Sequence, residues 1–367
     1  DGVSSGPLSF MEIFDTTCGT VEQGGCVSTN ERVMTEEGYK RLGDIHDGLA
    51  LSTAHTDARV RTRDGLDDVI TSSDSGELPS VRVETEHGYE LTVTPNHELL
   101  VLRGGELEFV EAGELDNTDT LVLDQSDKTV PVVADLAPPD EQEAYHHNAQ
   151  TVPVENYPDT LTPDMAWVLG ALWGDGTTRL DENEVVFSLG HDKQVAIDRV
   201  VGFFTDLGLD VSTYDRSGSG KGNYTRVQVR SAQLADWFEQ NGFVKGALDE
   251  LPEVLYQSPN VFTDFLGGLT VDATLVESGS ISYSTADESF AKTIQDLLLA
   301  VGIPSKLTTV GAQSDRYSDD ASYRVGVTPG AGATRFFKTV DHRFEATPET
   351  GSGQRQNQVT DAGVVER

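Results

Sequence analysis

From about Leu161 to Val310 the sequence runs through the same order of elements twice, and this duplication constrains the fold more than any other feature. In the first copy, Thr162-Pro163 supplies an N-cap and a first-turn proline ahead of the apolar run Met165 to Trp173. A strand at Val185–Phe187 and a helix at Val195–Phe204 follow. The second copy places a helix at Val261–Val271, a strand at Ser280–Ser284 and a helix at Phe290–Val301 that ends at Gly302, a helix-terminating glycine. Two similar halves within one domain are the simplest reading.

The rest of the chain follows other patterns. Residues 26–124 are short β-rich runs broken by Gly, Asp and Asn, with Val81–Thr85 and Tyr89–Thr94 flanking Glu86-His87-Gly88 as a hairpin would. Residues 125–160 are acidic, contain Pro138-Pro139 and show no periodicity, which predicts an exposed linker. The duplicated domain is expected over 161–344. The polar, Gln-rich stretch 345–367 is expected to be poorly ordered. A chain of 367 residues accommodates two domains at roughly 100–200 residues each.

The chain carries 62 acidic and 26 basic residues, a formal net charge of −36, with 18 Arg against 8 Lys. The excess is dispersed rather than gathered in a tail, and with so few lysines it resembles a haloarchaeal proteome adapted to molar salt. Such a surface repels DNA at low salt, and counterion release is a weak driving force in molar salt, so any DNA-binding reading starts at a disadvantage. No apolar run approaches the ~18 residues of a membrane span, no leader precedes the fold, and the first residue is Asp1. The expectation is a cytoplasmic fragment with no membrane partner. Only Cys18 and Cys26 are present, too few for a disulfide framework or a cysteine-rich zinc site, which leaves a catalytic thiol as the interesting reading.

That thiol is Cys26, which follows Gly24-Gly25 and opens Cys26-Val27-Ser28-Thr29-Asn30. Some seventy residues later comes Gly88-Tyr89-Glu90-Leu91-Thr92-Val93-Thr94-Pro95-Asn96-His97, and then Phe109-Val110-Glu111-Ala112-Gly113-Glu114-Leu115. A T-x-x-H tetrad alone is common, and a buried cysteine beside a hairpin end would explain it equally well. Together, these segments resemble the N-terminal splicing blocks of inteins over most of residues 26–123. Breaking an unactivated peptide bond needs a nucleophile beside its carbonyl and a proton donor for the leaving nitrogen. Chain connectivity alone lets Cys26 reach the Gly25 carbonyl through a five-membered ring. The resemblance implies that His97 contacts the scissile amide nitrogen, that Thr94 holds the strained peptide or its oxyanion, and that residues 26–124 form an all-β, horseshoe-like Hint domain.

Residues 5–25 resemble a segment of adenosylcobalamin-dependent ribonucleotide reductases, which makes 1–25 a host flank. No reductase catalytic residue lies within it. Adenosylcobalamin would serve only the host reductase and is not bound by this fragment, and Cys18 reads as structural or incidental. Completing splicing in this family requires a terminal His-Asn pair. The chain ends Gly363-Val364-Val365-Glu366-Arg367, so the fragment is expected to be truncated before the C-terminal splicing blocks and not to splice in cis with its host reductase segments.

Two nine-residue windows, Val168–Gly176 and Phe265–Ala273, carry Asp175 and Asp272 at the same position, 97 residues apart. Either window alone would pass for an ordinary apolar helix capped by Asp and Gly. As a pair in matching phase they resemble the LAGLIDADG motifs of DOD-type homing endonucleases. The resemblance implies an α+β domain of two pseudo-symmetric αββαββα-like halves, strands that form saddles in successive major grooves, and double-stranded DNA at the intein-less host gene site as partner. A glycine inside a helix costs about 1 kcal/mol against alanine, and close packing of the two helices along Gly170-Ala171 and Gly267-Gly268 would offset that. Their C-terminal ends would then bring Asp175 and Asp272 together. Two carboxylates at helix C-termini repel each other and the helix dipoles, so the pair makes sense around a divalent cation, with Mg²⁺ expected. The metal would generate a water nucleophile and stabilise the phosphodiester displacement.

The second motif departs from the family at Ala273, usually Gly, and Thr270, commonly an acid. The lysine often found before an Ile-Pro or Leu-Pro step is missing at Asp249-Glu250-Leu251-Pro252, with Lys245 the nearest substitute. Two alternatives to a cleaving intein endonuclease stay open: a degenerate LAGLIDADG domain that binds DNA without cutting, and a passenger insert whose host is a ribonucleoside-diphosphate reductase. His146-His147, His191 and His342 lack ligand spacing and read as solvated surface residues.

Overall fold

A computed structural model describes residues 25–46, 48–62, 65–141, 144–146, 149–217, 223–245, 251–276, 280–311 and 322–344, together with the backbone of 363–366. The expected host flank up to Gly24 and Cys18 within it lie outside these residues, as does most of the stretch after Phe344.

The first module is all β. Strands β1 (Arg32–Thr35), β2 (Gly38–Arg41), β4 (Arg59–Thr62) and β5 (Gly65–Asp68) form one antiparallel sheet in the order β2-β1-β4-β5, and β3 (Thr53–His55) pairs with β6 (Thr71–Ser73). β7 (Val81–Thr85) and β8 (Glu90–Val93) form the expected hairpin, turning at Gly88 with φ +81°, a conformation that suits glycine. β9 (Glu98–Arg103) lies between β10 (Glu106–Glu111) and β11 (Thr120–Leu121). Alternate residues of β7 and β8, among them Val83, Leu91 and Val93, fill a small core with Val101 and Val110.

The duplicated domain repeats one element order in each half. The first half is α1 (Pro163–Asp175), β12 (Gly176–Arg179), β13 (Glu184–Gly190), α2 (Gln194–Asp206), β14 (Val211–Asp215), β15 (Tyr224–Arg230) and α3 (Ala232–Gln240). After the short α4 (Glu253–Tyr256) come α5 (Phe262–Leu269), β16 (Thr274–Leu275), β17 (Ile281–Thr285), α6 (Glu288–Ala300), β18 (Ser305–Val310), β19 (Ser322–Val327) and α7 (Ala331–Thr339). Both sheets are antiparallel and share a strand order, β12-β13-β15-β14 and β16-β17-β19-β18. The helices start and stop where the sequence signals: Thr162 caps α1 by accepting from Met165 N, and Gly302 follows α6 with φ +74°. One core joins the halves through residues such as Trp167, Phe187, Phe265 and Phe336, and takes in Met34, Tyr39 and Tyr89 of the β module.

Two expectations need correction. Residues 125–160 are not a free linker, because Val130, Leu136, Val152 and Tyr157 are buried in the main core. The segment is an irregular strap whose backbone satisfies polar groups buried beneath it: Ala134 N donates to Ser258 Oγ at 2.9 Å, Ala137 N to Asn241 Oδ1 at 2.8 Å and Val152 N to Gln233 Oε1 at 2.9 Å. A strap of this kind has no helical or strand period, so its sequence reads like a linker. Within the expected disordered tail, β20 (Gly363–Glu366) runs antiparallel to β7, with Gly363 opposite Thr85 and Glu366 opposite Arg82. The open edge of β7 offers unpaired backbone groups that an extended segment can satisfy. Among the described residues no helix is long and apolar enough to cross a membrane.

Candidate functional site

The two motif helices, α1 and α5, meet backbone to backbone. A Cβ at Gly170 would lie 2.0 Å from the Phe265 carbonyl oxygen, and one at Gly268 would lie 1.9 Å from that of Trp167. Only glycine fits at these points, and the cost of a mid-helix glycine is offset by the contact it permits. The approach continues to the helix ends, where a Cβ at Gly174 would sit 2.9 Å from Val271 Cγ2 and 3.4 Å from Asp272 Cβ. α5 tightens into a 3₁₀ turn over Thr270–Asp272, so Asp272 arrives beside Asp175, the last residue of α1.

The electrostatics follow from that meeting. Burial, and after it the negative charge of Asp175, together raise the Asp272 carboxyl to about 6 against the opposing pull of Lys193, Lys245 and Arg343. Lys193 Nζ lies 2.6 Å from Asp175 Oδ2. Lys245 Nζ donates to the carbonyl oxygens of Trp173 at 2.6 Å and Gly174 at 3.4 Å, at the C-terminal end of α1. Arg343 does the same for α5, donating from Nε to Thr270 O at 2.6 Å and from Nη2 to Ala273 O at 3.0 Å. Each motif helix thus ends under a cation, where the dipole favours one. Thr270 is fully buried and accepts from Arg343 N through its hydroxyl at 3.0 Å, which gives a physical reason for a hydroxyl there instead of an acid.

Lys193 and Arg343 were missed in the sequence. The duplication phase holds a signal for Arg343: Lys245 follows Asp175 by 70 residues and Arg343 follows Asp272 by 71. Lys193 has no counterpart in the second half, so the repeat gives no sign of it. Among the described residues no group of three or more His, Cys, Asp or Glu is placed to hold a metal. Two converging carboxylates nevertheless fit Mg²⁺, which takes hard oxygen donors and is commonly held by one or two carboxylates completed by water and substrate phosphate.

The β module brings the other three predicted residues together. Cys26 N donates to Thr94 Oγ1 at 2.7 Å, and Thr94 N donates to Cys26 O at 2.9 Å. Gly25 lies so close to His97 that an added Cβ would sit 2.2 Å from its Cα. His97 is buried, which lowers its proton affinity, while the Gly25 backbone beside it works in the opposite direction. The Cys26 sulfur is 3.6 Å from Ser75 Oγ. Of the remaining histidines, His146 and His191 are exposed as expected, and His147 lies outside the described residues. His342 is not a solvated surface residue: its ring stacks on Phe336 at 6.2 Å and meets Phe337 and Phe344.

Residues 270–341 match the family described as LAGLIDADG-like domain. That stretch of the chain is thus similar to a LAGLIDADG-like domain. A curated relative, the glutamine–fructose-6-phosphate aminotransferase of Methanocaldococcus jannaschii, is 25% identical over 186 residues, 49% of this chain. The matched stretch spans 16% of that relative. Solved structures that overlap the chain include I-DmoI in complex with DNA and Mn (12% identity, 49% of this chain and 96% of that one, TM-score 0.35). Mesophilic variants of the homing endonuclease I-DmoI overlap similarly (13%, 50% and 98%, TM-score 0.36), as does the N-terminal LAGLIDADG domain of DUF199/WhiA (12%, 51% and 84%, TM-score 0.35). Overlaps this loose decide neither fold nor activity for this chain.

Proposed function

We propose that this chain is an intein: a Mg²⁺-dependent, site-specific DNA endonuclease domain carried with a splicing module inside an adenosylcobalamin-dependent ribonucleotide reductase of a salt-adapted organism. The observation that carries the nuclease reading is the convergence of Asp175 and Asp272 where two glycine-packed helices abut, with the carboxyl of Asp272 raised by burial and then by the charge of Asp175. Asp175 and Asp272 would hold the metal, which when bound supplies an activated water and charge neutralisation for phosphodiester hydrolysis. Lys245 and Arg343 fix the helix ends, and with them the two carboxylates. The substrate is double-stranded DNA at the uninterrupted host gene site, and the compartment is the cytoplasm.

In the β module, a Hint-type splicing centre in this reading, the Cys26 thiol attacks the Gly25 carbonyl. The new S–C bond replaces the C–N bond. The neutral His97 imidazole relays the thiol proton to the departing amide nitrogen, and the hydroxyl of Thr94 holds the Cys26 amide in place.

The test is double-strand cleavage of a duplex carrying the uninterrupted reductase site, at high salt with Mg²⁺. Asp175→Asn and Asp272→Asn each abolish cutting while leaving the far-ultraviolet circular dichroism spectrum unchanged. Cleavage that survives either substitution overturns the assignment. A second reading, a domain that binds DNA without cutting, draws on the Lys193–Asp175 ion pair, which already neutralises one carboxylate. Metal-independent binding with no nicking selects it.

A further inference from the structure

The two half-domains share one architecture, and strand register aligns them residue by residue. Gly176 follows Asp175 and faces Phe187, and Phe187 faces Val227. Continuing the β16–β17 register one residue sets Ala273 against Tyr283, and Tyr283 faces Val325. The pairs equate Glu184 with Ser280, Arg226 with Arg324, Gln228 with Gly326 and Arg230 with Thr328.

Along β13 and β15 the residues Val185, Phe187, Val227 and Val229 enter the core. The strand alternation turns Glu184, Arg226, Gln228 and Arg230 to the opposite face, which begins immediately beyond Asp175. On that face Glu184 is fully buried beneath its neighbours. It pairs with Arg226 at 3.0 Å, Arg230 at 2.9 Å and Arg179 at 3.5 Å, and accepts a further hydrogen bond from Gln228 Nε2. Three guanidinium groups surround Glu184, and Glu182 lies 3.8 Å from Arg179, so the array stays net positive with its forks fixed in direction, and Arg230 remains 66% exposed.

The second sheet lacks this array among the described residues. The hub glutamate is replaced by Ser280, which is committed to Val327 O, and the Gln228 position by Gly326. A Cβ at Gly326 would meet nothing nearer than Lys306 O at 4.0 Å, so packing does not demand the glycine. Arg324 stays, but the neighbouring Lys306 is paired with Glu86 of the β module at 3.2 Å.

A protein of net charge −36 needs concentrated, directed positive charge to approach phosphates. We infer that the two half-domains grip DNA unequally: the sheet of the first half, through Arg179, Arg226 and Arg230 organised by the buried Glu184, supplies most of the affinity and base readout, and the sheet of the second half supplies little. Arg and Gln are side chains suited to base edges in the major groove. Glu184 acts as a positioning residue that never touches the DNA. The inference rests on the DNA-binding reading above.

The experiment takes the whole protein, without divalent metal, through selection on a duplex library with about 24 randomised base pairs, followed by affinity measurement on the selected duplex and on a scrambled one. Arg226→Gln is expected to weaken the selected complex at least tenfold, and its pseudo-symmetric counterpart Arg324→Gln less than threefold. Glu184→Gln removes a negative charge, so scrambled DNA binds as well or better, while preference for the selected sequence falls at least tenfold. Equal losses for Arg226→Gln and Arg324→Gln, or preserved preference in Glu184→Gln, overturn the unequal grip while leaving DNA binding standing. If the unaltered protein enriches no duplex, the DNA-binding reading and the unequal grip fall together.

Discussion

Lys193 Nζ lies 2.6 Å from Asp175 Oδ2, with both side chains largely shielded from solvent. The ammonium occupies the electrostatic position that a divalent cation shared by Asp175 and Asp272 would otherwise fill. Removing it by Lys193→Gln exposes Asp175 to the metal without altering either carboxylate. The expected outcome is metal affinity about tenfold tighter, which equals about 1.4 kcal/mol. Tb³⁺ luminescence sensitised by Trp173, two residues from Asp175, reads it directly in the absence of DNA. Unchanged affinity would mean that the ion pair dissolves before metal arrives and plays no part in metal entry.

The glycines of the motif helices give a prediction with an internal control. An added Cβ at Gly170 or Gly268 meets a backbone carbonyl at 2.0 or 1.9 Å, and backbone cannot swing aside as a side chain can. Gly170→Ala or Gly268→Ala is expected to destabilise the fold by about 1–3 kcal/mol or more as the helices are pushed apart. Gly202 on α2 has nothing within 4 Å of its would-be Cβ, so Gly202→Ala should be neutral or stabilising by up to about 1 kcal/mol through helix propensity. Denaturant titration of the three variants decides. Equal effects at Gly170 and Gly202 would remove the close-packing account of the motif.

How much of this was legible in the sequence depends on the kind of signal each residue leaves. The motif glycines and Asp175 and Asp272 stand out because close packing and repetition both mark them. The two halves appear in the sequence because their apolar positions recur. The strap over 125–160 left no periodicity, and its buried residues, such as Val152 and Tyr157, are anchored by hydrogen bonds from distant side chains, which no local pattern records. Lys193 reaches Asp175 only through the way α2 is set against α1. His342 was misread because its three phenylalanine neighbours come together only when Phe336 and Phe344 fold around it.

The contact between Gly25 and His97 carries a prediction for the β module. A Cβ on residue 25 would overlap the His97 backbone, 2.2 Å from its Cα. Gly25→Ala should therefore displace the peptide that precedes Cys26 and slow thiol-induced cleavage at that peptide at least tenfold. The duplicated domain does not contain this contact, so the DNA affinity of the same variant should be unchanged. Gel analysis of the cleaved flank after adding dithiothreitol reads the first quantity, and cleavage at the unaltered rate would show that Gly25 is not held against His97 when the thiol attacks.

The raised carboxyl of Asp272 sets a pH dependence whose sign is fixed. Its folded-state value is near 6 against an ordinary 3.8, through burial and then the charge of Asp175. Below pH 3.8 both folded and unfolded chains hold the proton, and the group costs the fold nothing. As pH climbs from 3.8 to 6 the unfolded chain releases the proton while the folded one keeps it, so stability falls through that window and the full cost remains above it. Asp272→Asn removes an ionisable group at constant shape. In metal-free buffer it should be more stable than the unaltered protein at pH 7.5 by about 1–3 kcal/mol, with the difference closing near pH 4. Adding Mg²⁺ at pH 7.5 should narrow the gap from the other side, because the metal stabilises only the protein that keeps both carboxylates. Calorimetric melting at the two pH values, with and without Mg²⁺, measures all of this. A variant less stable than its parent at pH 7.5 without metal would mean that the two aspartates are not in repulsive contact, and the shared-cation account of the site would go with it.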